Sequence, residues 1–390
     1  MHVPYVDLKR QYMTIKDEID TAIQSAVDSC AFVSGEKVTK FEKNYAKYCG
    51  SKYAVGISNG TGALYVGLKA LGIGKGDAVI TVPFTFVATV EAISLTGARP
   101  VFVDIDKDSY NISIQKLKKY IREFCKWNLK ERMLVDRKTS LKVKAIMPVH
   151  LYGQMSEMDS ILEIANQHDL LVLEDAAQAH GATYKNRKAG TLGQIGCFSF
   201  YPSKNLGAFG QGGAVITDNE DLAERIRTFI NHGQTEKYVY SFEGWNLRMD
   251  GLQAAILDVK LKYLDRWNEA RRNHVHMYNE LLKEINGATL PKEMPHCEHI
   301  YYLYVIRVKN RGSLHKYLQK AGVNATVAYP IPLHMQTAYQ YLGYRKGDFP
   351  DAEECAETVL SLPIFPELTK PEIEYVCRNI DEWARLNSEI

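Results

Sequence analysis

The sequence predicts an α/β protein, in which a large domain built on a mostly parallel, seven-stranded sheet precedes a smaller α+β domain. Three observations predict this fold class. Short apolar runs alternate with helical patterns between residues 53 and 217, which is typical of a parallel sheet between helices. The pattern changes to longer helices after residue 217. The length of 390 residues allows one large or two ordinary domains.

The elements are assigned from their apolar spacing. Ile15, Ile19, Ile23 and Val27 recur every four residues, which predicts one apolar face of an N-terminal helix. Seven short apolar runs then predict strands at residues 53–58, 78–82, 100–103, 143–149, 170–173, 197–200 and 214–217. Helical patterns between them lie at residues 64–71, 86–95, 112–121 and 158–165.

The C-terminal part has a different pattern. Residues 252–282 predict a long helix or a helix pair. Strands are predicted at 301–308 and 324–329, a helix at 314–321, and a final helix at 371–386. We therefore expect a separate, smaller α+β domain.

The composition excludes several classes of protein. An apolar fraction of 46% and a charged fraction of 24% are those of a globular protein, not of a disordered, collagen-like or coiled-coil chain. Lys and Arg number 48 and Asp and Glu 46, so net charge gives no sign of nucleic-acid or membrane binding. No signal peptide or membrane-spanning segment is recognisable. Seven scattered cysteines predict reduced thiols in a cytoplasmic protein, with no metal site.

One segment stands out by its charge. Residues 118–144 contain ten basic and three acidic residues in a connection that normally takes only a few residues. It is interpreted mainly as a solvated surface insertion. The alternative is a loop at the active site or at a subunit interface that meets an anionic ligand.

Polar residues that follow predicted strands suggest a site, because ligands of parallel sheets bind beyond the carboxyl ends of the strands. Gly60 and Thr61 follow the first strand at a helix N-terminus and can present backbone N–H groups to a phosphate. Asp175 follows a buried strand and could pair with a cationic ring nitrogen. Lys204 follows another strand in apolar company, which favours a neutral, nucleophilic amine. A phosphate cradle, a carboxylate and such a lysine are together what pyridoxal phosphate requires.

Ordered motifs along nearly the whole chain carry a resemblance to a known family. They include Ser58-Asn59-Gly60-Thr61, residues 83–89 and 148–154, Glu174-Asp175-Ala176-Ala177-Gln178, residues 199–204, 231–234 and 246–249, Tyr329-Pro330-Ile331-Pro332-Leu333-His334, and residues 361–366. By these motifs the chain resembles the DegT/DnrJ/EryC1/StrS family of pyridoxal-phosphate sugar aminotransferases. The resemblance implies a type I aminotransferase-like fold, with a large cofactor-binding domain at 1–245 and a small domain at 246–390. Helix 10–30 is then expected to pack on the small domain.

The resemblance also implies roles for individual residues. Lys204 is similar to the lysine that binds the cofactor covalently and moves protons, and Asp175 to the partner of the pyridine nitrogen. The implied cofactor contacts are Phe86 on the ring face, Gln178 near the ring hydroxyl, Gly60, Thr61 and Ser199 around the phosphate, and Asn246 from the partner subunit of a homodimer. Tyr329 and His334 are similar to part of the wall that contacts the sugar nucleotide.

Substrates follow from the same resemblance. The expected amino donor is L-glutamate, and the expected acceptor is a nucleoside-diphosphate-linked keto sugar, with a dTDP-linked 3-keto-6-deoxyhexose preferred. The product would be an amino sugar for surface glycan or natural-product biosynthesis. Acceptors with a 4-keto group or a UDP carrier stay open, since such members share most of these residues.

Two other classes of function were weighed. A nicotinamide-dependent oxidoreductase would need G-x-G-x-x-G after the first strand, but Gly72, Gly74 and Gly76 are followed by Asp77 and come after a helix. A non-catalytic, cofactor-binding regulator would keep the fold without turnover. The presence of Lys204, Asp175 and Gln178 favours an enzyme.

Overall fold

The computed structural model describes residues 1–387. The strands, in chain order, are β1 (Tyr53–Ile57), β2 (Asp77–Thr81), β3 (Arg99–Phe102), β4 (Cys125–Asn128), β5 (Met133–Asp136), β6 (Lys142–Ile146), β7 (Leu171–Asp175), β8 (Thr183–Tyr184), β9 (Arg187–Lys188), β10 (Ile195–Ser199), β11 (Gly213–Thr217), β12 (Gln234–Glu236), β13 (Val239–Tyr240), β14 (Ala288–Thr289), β15 (Cys297–Glu298), β16 (Tyr304–Val308) and β17 (Val359–Leu362). The main sheet has the order β1-β11-β10-β7-β6-β2-β3. Only the pairs that involve β11 are antiparallel along this path, so the predicted mostly parallel sheet is confirmed.

Helices lie on both faces of this sheet and also in the C-terminal part. They are α1 (Leu8–Thr14), α2 (Lys16–Ser29), α3 (Glu36–Cys49), α4 (Gly60–Ala70), α5 (Val87–Leu95), α6 (Ile114–Phe124), α7 (Met158–Gln167), α8 (Glu220–Ile230), α9 (Gly251–Leu261), α10 (Leu264–Leu282), α11 (Arg311–Lys320), α12 (Pro350–Thr358) and α13 (Lys370–Asn387). Short 3-10 turns lie at Leu151–Gly153, Leu333–Met335 and Thr337–Leu342. In β2, Ala78 and Ile80 enter one apolar cluster and Val79 enters the other. Successive strand residues point to opposite faces, so both faces are buried, as a parallel sheet requires.

A second, antiparallel sheet lies in the C-terminal part, with the order β14-β16-β17. Helices α10, α11 and α13 pack together with it around a separate apolar cluster, which includes Tyr278, Tyr304 and Trp383. This is the predicted α+β pattern. The domain boundary at residues 245 and 246 stays a prediction.

The N-terminal segment contacts the C-terminal part. The guanidinium of Arg10 donates two hydrogen bonds to the carboxylate of Glu372 in α13, at 2.8 and 3.0 Å. Ile15 and Ile19 share a small apolar cluster with Val259 and Trp267 from α9 and α10. The N-terminal segment therefore contacts residues after 246, and the packing of helix 10–30 on a separate small domain stays a prediction.

The basic segment forms a hairpin. After α6, β4 and β5 pair with each other, and β5 adds to the first two residues of β6. The hairpin therefore lies at the amino-terminal end of β6. Because ligands of such sheets bind at the opposite, carboxyl end, this position agrees with a surface insertion and not with an active-site loop.

Several features differ from the prediction. Among the described residues the main sheet has nine strands instead of the predicted seven, because β4 and β5 extend it beside β6. The predicted strand at 324–329 is wrong, because only Thr326 pairs with Ser361 before the chain turns toward the interior. The antiparallel partner of β16 is instead β17, which was not predicted. Helices α3, α8 and α12 were also missed.

Candidate active site

A cavity of about 860 Å³ opens at the carboxyl ends of the main-sheet strands. Its walls come from the ends of β7 and β10, the N-termini of α4 and α5, and residues near 302 and 328. The sequence-predicted residues that line it are Gly60, Thr61, Phe86, Asp175, Gln178, Ser199, Lys204 and Tyr329. The fold thus brings residues from six distant segments to one place.

Asp175 ends β7 and is 5% exposed. Its Oδ2 accepts a hydrogen bond of 2.8 Å from Thr89 Oγ1, and its Oδ1 accepts one of 3.2 Å from the Ala177 N–H. Thr85 Oγ1 lies 2.9 Å from Thr89 Oγ1 and extends this chain of hydroxyls. Burial raises the pKa of Asp175 despite these neutral donors. A cationic N–H group in the cavity would therefore relieve an electrostatic cost that the carboxylate otherwise carries.

Glu174, the neighbouring carboxylate, faces away from the cavity and is saturated by donors. It accepts hydrogen bonds from the N–H groups of Gly190, Leu192 and Gly193 at 2.6–2.9 Å. His150 Nε2 lies 2.8 Å from Glu174, and His150 Nδ1 accepts from the Ser156 N–H, so Nε2 carries the proton. Burial opposes ionisation, but these hydrogen bonds outweigh it and lower the pKa of Glu174. Glu174 therefore has a structural role: it links β7 to His150 and to the backbone of residues 190–193.

Replacing Glu174 by glutamine should lower the free energy of unfolding by about 3 kcal/mol, because an amide nitrogen would face a backbone donor. The pKa of Glu174 is lowered from 4.5, so its stabilising contribution is complete above that pH and is lost as pH falls through the folded value. The variant should consequently show a weaker loss of stability in acid. Urea titrations at several pH values measure this, and the exposed Glu163→Gln is the matched control. If both substitutions changed the free energy of unfolding equally, the structural role of Glu174 would be contradicted.

Lys204 follows β10 and is half-buried at the cavity wall. Its Nζ lies 4.2 Å from the ring centroid of Tyr302, which is a cation–π contact. Within residues 1–387 it forms no ion pair. On the same side, burial and then the charge of Lys204 lower the pKa of His180 to about 3, so this imidazole is neutral. The amine therefore faces the cavity without a carboxylate that would neutralise it.

The N-terminus of α4 forms the end of the cavity. Asn59 caps this helix, since its Oδ1 accepts a 2.7 Å hydrogen bond from the Gly62 N–H. The preceding N–H groups, of Gly60 and Thr61, have no acceptor in the described chain and lie at the positive end of the helix dipole. A Cβ at Gly60 would come 2.5 Å from the Cβ of Ser199, so only glycine fits there. These residues can hold a phosphate.

Phe86, Gln178 and Tyr329 surround the middle of the cavity. The ring of Phe86 is 54% exposed and lies 6.1 Å from that of Tyr329. Gln178 is fixed at both ends, because its Oε1 accepts from the Tyr152 N–H and its Nε2 donates to the Tyr329 hydroxyl. Burial raises the pKa of Tyr329, so its phenol stays protonated. An exposed aromatic face beside fixed polar groups suits a planar, substituted ring.

Two predicted residues lie outside the cavity lining. His334 is buried, with Nε2 at 3.0 Å from Glu353 and its ring against Phe349. Its predicted place in the sugar-nucleotide wall is therefore not supported. Asn246 is exposed and follows Trp245, whose ring contacts Tyr65 of α4. The contact of Asn246 with a partner subunit stays a prediction.

Sequence reasoning missed several residues that line the cavity. They are Tyr5, Thr85, Thr89, Gln211, Tyr302 and Thr326. Tyr302 lies two residues before β16, and Tyr5 precedes the first helix, so neither follows a strand of the main sheet. The strand-end rule could find Thr85 only, four residues after β2. The others carry no local signal.

The cavity contains the buried carboxylate of Asp175, the amine of Lys204 and the N-terminus of α4. Together these features are typical of a pyridoxal-phosphate enzyme with the aminotransferase fold. The site fits that cofactor. Within residues 1–387 the hydrogen bonds to the Asp175 carboxylate come from neutral donors, and the Gly60 and Thr61 N–H groups of α4 have no acceptor. The chain belongs to the DegT/DnrJ/EryC1/StrS aminotransferase family, whose model matches residues 13–381. It is a pyridoxal-phosphate-dependent aminotransferase.

Two relatives illustrate the range of names in this family. The chain is 43% identical to a protein named pleiotropic regulatory protein from Geobacillus stearothermophilus, over 99% of each chain. It is 38% identical to the dTDP-3-amino-3,4,6-trideoxy-alpha-D-glucose transaminase of Streptomyces venezuelae, over 98% of this chain and 96% of the relative.

Solved structures agree with the fold. The structure of S. venezuelae DesV in complex with a ketimine intermediate has a TM-score of 0.91 at 38% identity, covering 98% of both chains. NtdA from Bacillus subtilis, with bound cofactor PMP, has a TM-score of 0.87 at 31% identity, covering 98% of this chain and 85% of that one. In the described residues no helix is long and apolar enough to cross a membrane.

Proposed function

We propose that this enzyme moves an amino group from L-glutamate to a keto sugar linked to a nucleoside diphosphate. The favoured acceptor is a dTDP-linked 3-keto-6-deoxyhexose, and the product is the corresponding amino sugar nucleotide. One observation carries the proposal: Lys204, Asp175 and the N-terminus of α4 converge on one cavity of about 860 Å³. The name of the S. venezuelae relative supports the sugar and the carrier.

Each residue of the cavity is proposed to have a separate role in the reaction. Bound pyridoxal phosphate supplies an electron-withdrawing ring that acidifies the carbon bearing the amino group. Asp175 is placed to hold a proton on the ring nitrogen, because its buried carboxylate gains most from a cationic neighbour. Lys204 Nζ would move the proton from the donor's α-carbon to the cofactor carbon. In the second half-reaction it would move a proton from that cofactor carbon to the carbon of the acceptor that receives the amino group. Gly60, Thr61 and Ser199 hold the phosphate, and Phe86 supports the ring.

The reaction can be followed by visible absorbance. The purified protein with pyridoxal phosphate should be yellow, and L-glutamate should shift the band to the shorter wavelength of pyridoxamine phosphate. Keto sugar nucleotides are then screened for return of the yellow band, with dTDP and UDP carriers and with 3-keto and 4-keto sugars. L-Aspartate and L-alanine are the control donors.

Each outcome has a meaning. Return of the colour with a dTDP-3-keto sugar supports the proposal, and return only with another keto sugar nucleotide replaces the acceptor. A stable yellow band that no donor changes would favour a cofactor-binding regulator, which the name of the Geobacillus relative brings into consideration. No yellow band would overturn the assigned cofactor residues.

We also propose a homodimer with shared active sites. The segment around β12 and β13 exposes large apolar side chains, namely Tyr238, Val239, Tyr240, Phe242 and Trp245. Exposed aromatic groups of this density are typical of an interface. Asn246 follows them directly and is proposed to contact the cofactor phosphate of the partner subunit.

Asn246→Ala should weaken binding of pyridoxal phosphate roughly 10-fold, since one hydrogen bond to a charged group is lost. Titration of the yellow band measures this, and the exposed Asn324→Ala is the control. Mixed dimers of Asn246→Ala and Lys204→Ala then test the sharing. If Asn246 acts across the interface, about a quarter of all sites regain both native residues, and turnover returns at a pyridoxal phosphate concentration too low to load Asn246→Ala. No return of turnover would place Asn246 in its own subunit's site.

The cellular compartment is proposed from the thiols. All seven cysteines are free, and five of them have pKa values raised to about 11 or 12 by burial: Cys49, Cys125, Cys297, Cys355 and Cys377. Unreactive, unpaired thiols suit a reducing cytoplasm.

A further inference from the structure

Tyr302 forms the floor of the cavity beneath Lys204. The Nζ of Lys204 lies 4.2 Å from the centre of its ring. In the part of the chain that the structure describes, Lys204 is also the sole basic side chain of the cavity lining. Tyr302 therefore contacts this amine through its ring and through a hydrogen bond with its phenol.

The backbone around Tyr302 is held on both sides. The N–H groups of Ile300 and Leu303 donate to the carbonyls of Gly153 and Tyr152 at 3.0 and 3.3 Å. The buried guanidinium of Arg271 donates to the carbonyls of Tyr301 and Tyr302 at 3.3 and 3.4 Å.

Tyr301 has a φ of +45°, a conformation that non-glycine residues rarely adopt. Such a backbone persists only when its surroundings enforce it, and it occurs often at functional sites. Here it turns Tyr301 toward the small-domain core, where its ring stacks on His299, and Tyr302 toward the cavity.

We propose that Tyr302 is a positioning residue, which holds the Nζ of Lys204 over the cavity whenever that amine is not bonded to the cofactor. The inference rests on the proposed function, because Lys204 must be free in order to carry protons. A free lysine side chain has four rotatable bonds and would otherwise leave the place where it acts. Holding the amine within reach of the reacting carbon preserves the proximity on which proton transfer depends.

The electrostatics give this contact a spectroscopic signature. Burial acts to raise the pKa of Tyr302. The charge of Lys204, hydrogen bonds from Ser203 and Lys204, and the charge of Arg271 outweigh it and lower the pKa. The other titratable groups facing Tyr302 are the phenols of Tyr5 and Tyr329, whose own pKa values are raised. Ionised Tyr302 should therefore appear before those two as pH rises.

The first test is kinetic. Tyr302→Leu removes the ring and should lower kcat roughly 5- to 30-fold, with KM for the donor changed less than 2-fold. Tyr302→Phe keeps the ring and should stay within about 3-fold of the wild type. Tyr301→Phe, the neighbour outside the cavity lining, is the matched control. Equal losses in the Phe and Leu variants, or no loss in the Leu variant, would overturn the role of the ring.

The second test does not use turnover. Tyrosinate absorbance is titrated in the full-length enzyme saturated with pyridoxamine phosphate, and the Tyr302→Phe titration is subtracted to isolate one phenol. We expect its midpoint to lie below that of free tyrosine and to rise in Lys204→Met. Lys188→Met is the control, since Lys188 lies over the ring of Tyr48, outside the cavity lining.

The two tests distinguish failure of the Tyr302–Lys204 contact from failure of the proposed function. A midpoint unchanged by Lys204→Met would overturn the contact between Tyr302 and Lys204, whatever the substrate is. A shifted midpoint in an enzyme that accepts no keto sugar would support the contact and leave the proposed function to fail alone.

Discussion

Replacing Lys204 by alanine is expected to reduce turnover by more than about 10³-fold while the protein still binds pyridoxal phosphate. The large effect is expected because, in the proposed mechanism, one amine both binds the cofactor covalently and carries the proton between the two carbon atoms. The phosphate contacts at Gly60 and Thr61 and the carboxylate of Asp175 remain, so affinity for the cofactor should fall much less. The measurement is release of 2-oxoglutarate with glutamate and the accepted keto sugar nucleotide.

Two comparisons make this result specific. Lys188→Met removes a half-buried lysine that also lies over a tyrosine ring, at 3.3 Å, and should leave turnover within about 2-fold of the wild type. Added methylamine should restore part of the activity of Lys204→Ala, because a small amine can enter the emptied space and carry the proton. Substantial turnover of Lys204→Ala without an added amine would rule out the assigned role.

Asp175→Asn is expected to lower kcat by about 10²- to 10³-fold with the fold intact. The amide has the same shape and can keep the contact with Thr89, but it cannot hold a positive charge on the ring nitrogen. Affinity for pyridoxal phosphate in the wild type should also fall as pH is lowered. Burial raises the pKa of Asp175, and its protonated form offers no charge to a cationic ring.

A second buried aspartate serves as the control. Asp136 lies in the β4-β5 hairpin and accepts hydrogen bonds from Tyr120 and Thr139. Asp136→Asn should lower stability but leave kcat and the pH dependence of cofactor binding unchanged. If both aspartate variants reduced kcat equally, the effect of Asp175→Asn would be structural. If Asp175→Asn retained full kcat, its pairing with the ring nitrogen would be excluded.

Much of the fold followed from local patterns. The strands β1, β2, β3, β6, β7, β10 and β11 were all predicted to within a few residues. Their apolar runs are buried on both faces, which leaves a continuous signal in the sequence. The prediction of a strand at 324–329 was wrong because this apolar run does not lie inside a sheet. Its pairing is limited to Thr326, and Ala328 and Tyr329 line the cavity instead of extending a sheet.

Some residues of the site could be predicted from local patterns in the sequence, and others could not. Gly60, Asp175 and Lys204 could be found because each follows a strand whose position the sequence reveals. Tyr302 could not be found in this way. Its side chain enters the cavity because the backbone at Tyr301 is left-handed and because the buried Arg271 holds the Tyr302 carbonyl. His334 belongs to a motif of the family, yet its ring is enclosed by Glu353 and Phe349.

The sequence by itself determined the α/β class, the parallel sheet and the cofactor, and it indicated Lys204 as the candidate lysine, since these depend on local spacing and on residue types at strand ends. The tertiary structure alone decided which of two adjacent carboxylates serves the cavity. Side chains alternate across a strand, so Asp175 faces the cavity while Glu174 meets His150 and three backbone donors. It also decided that the basic hairpin lies at the far end of β6 and that Tyr302 lies beneath Lys204. Contacts between residues about 100 positions apart depend on chain packing, which no local pattern in the sequence records.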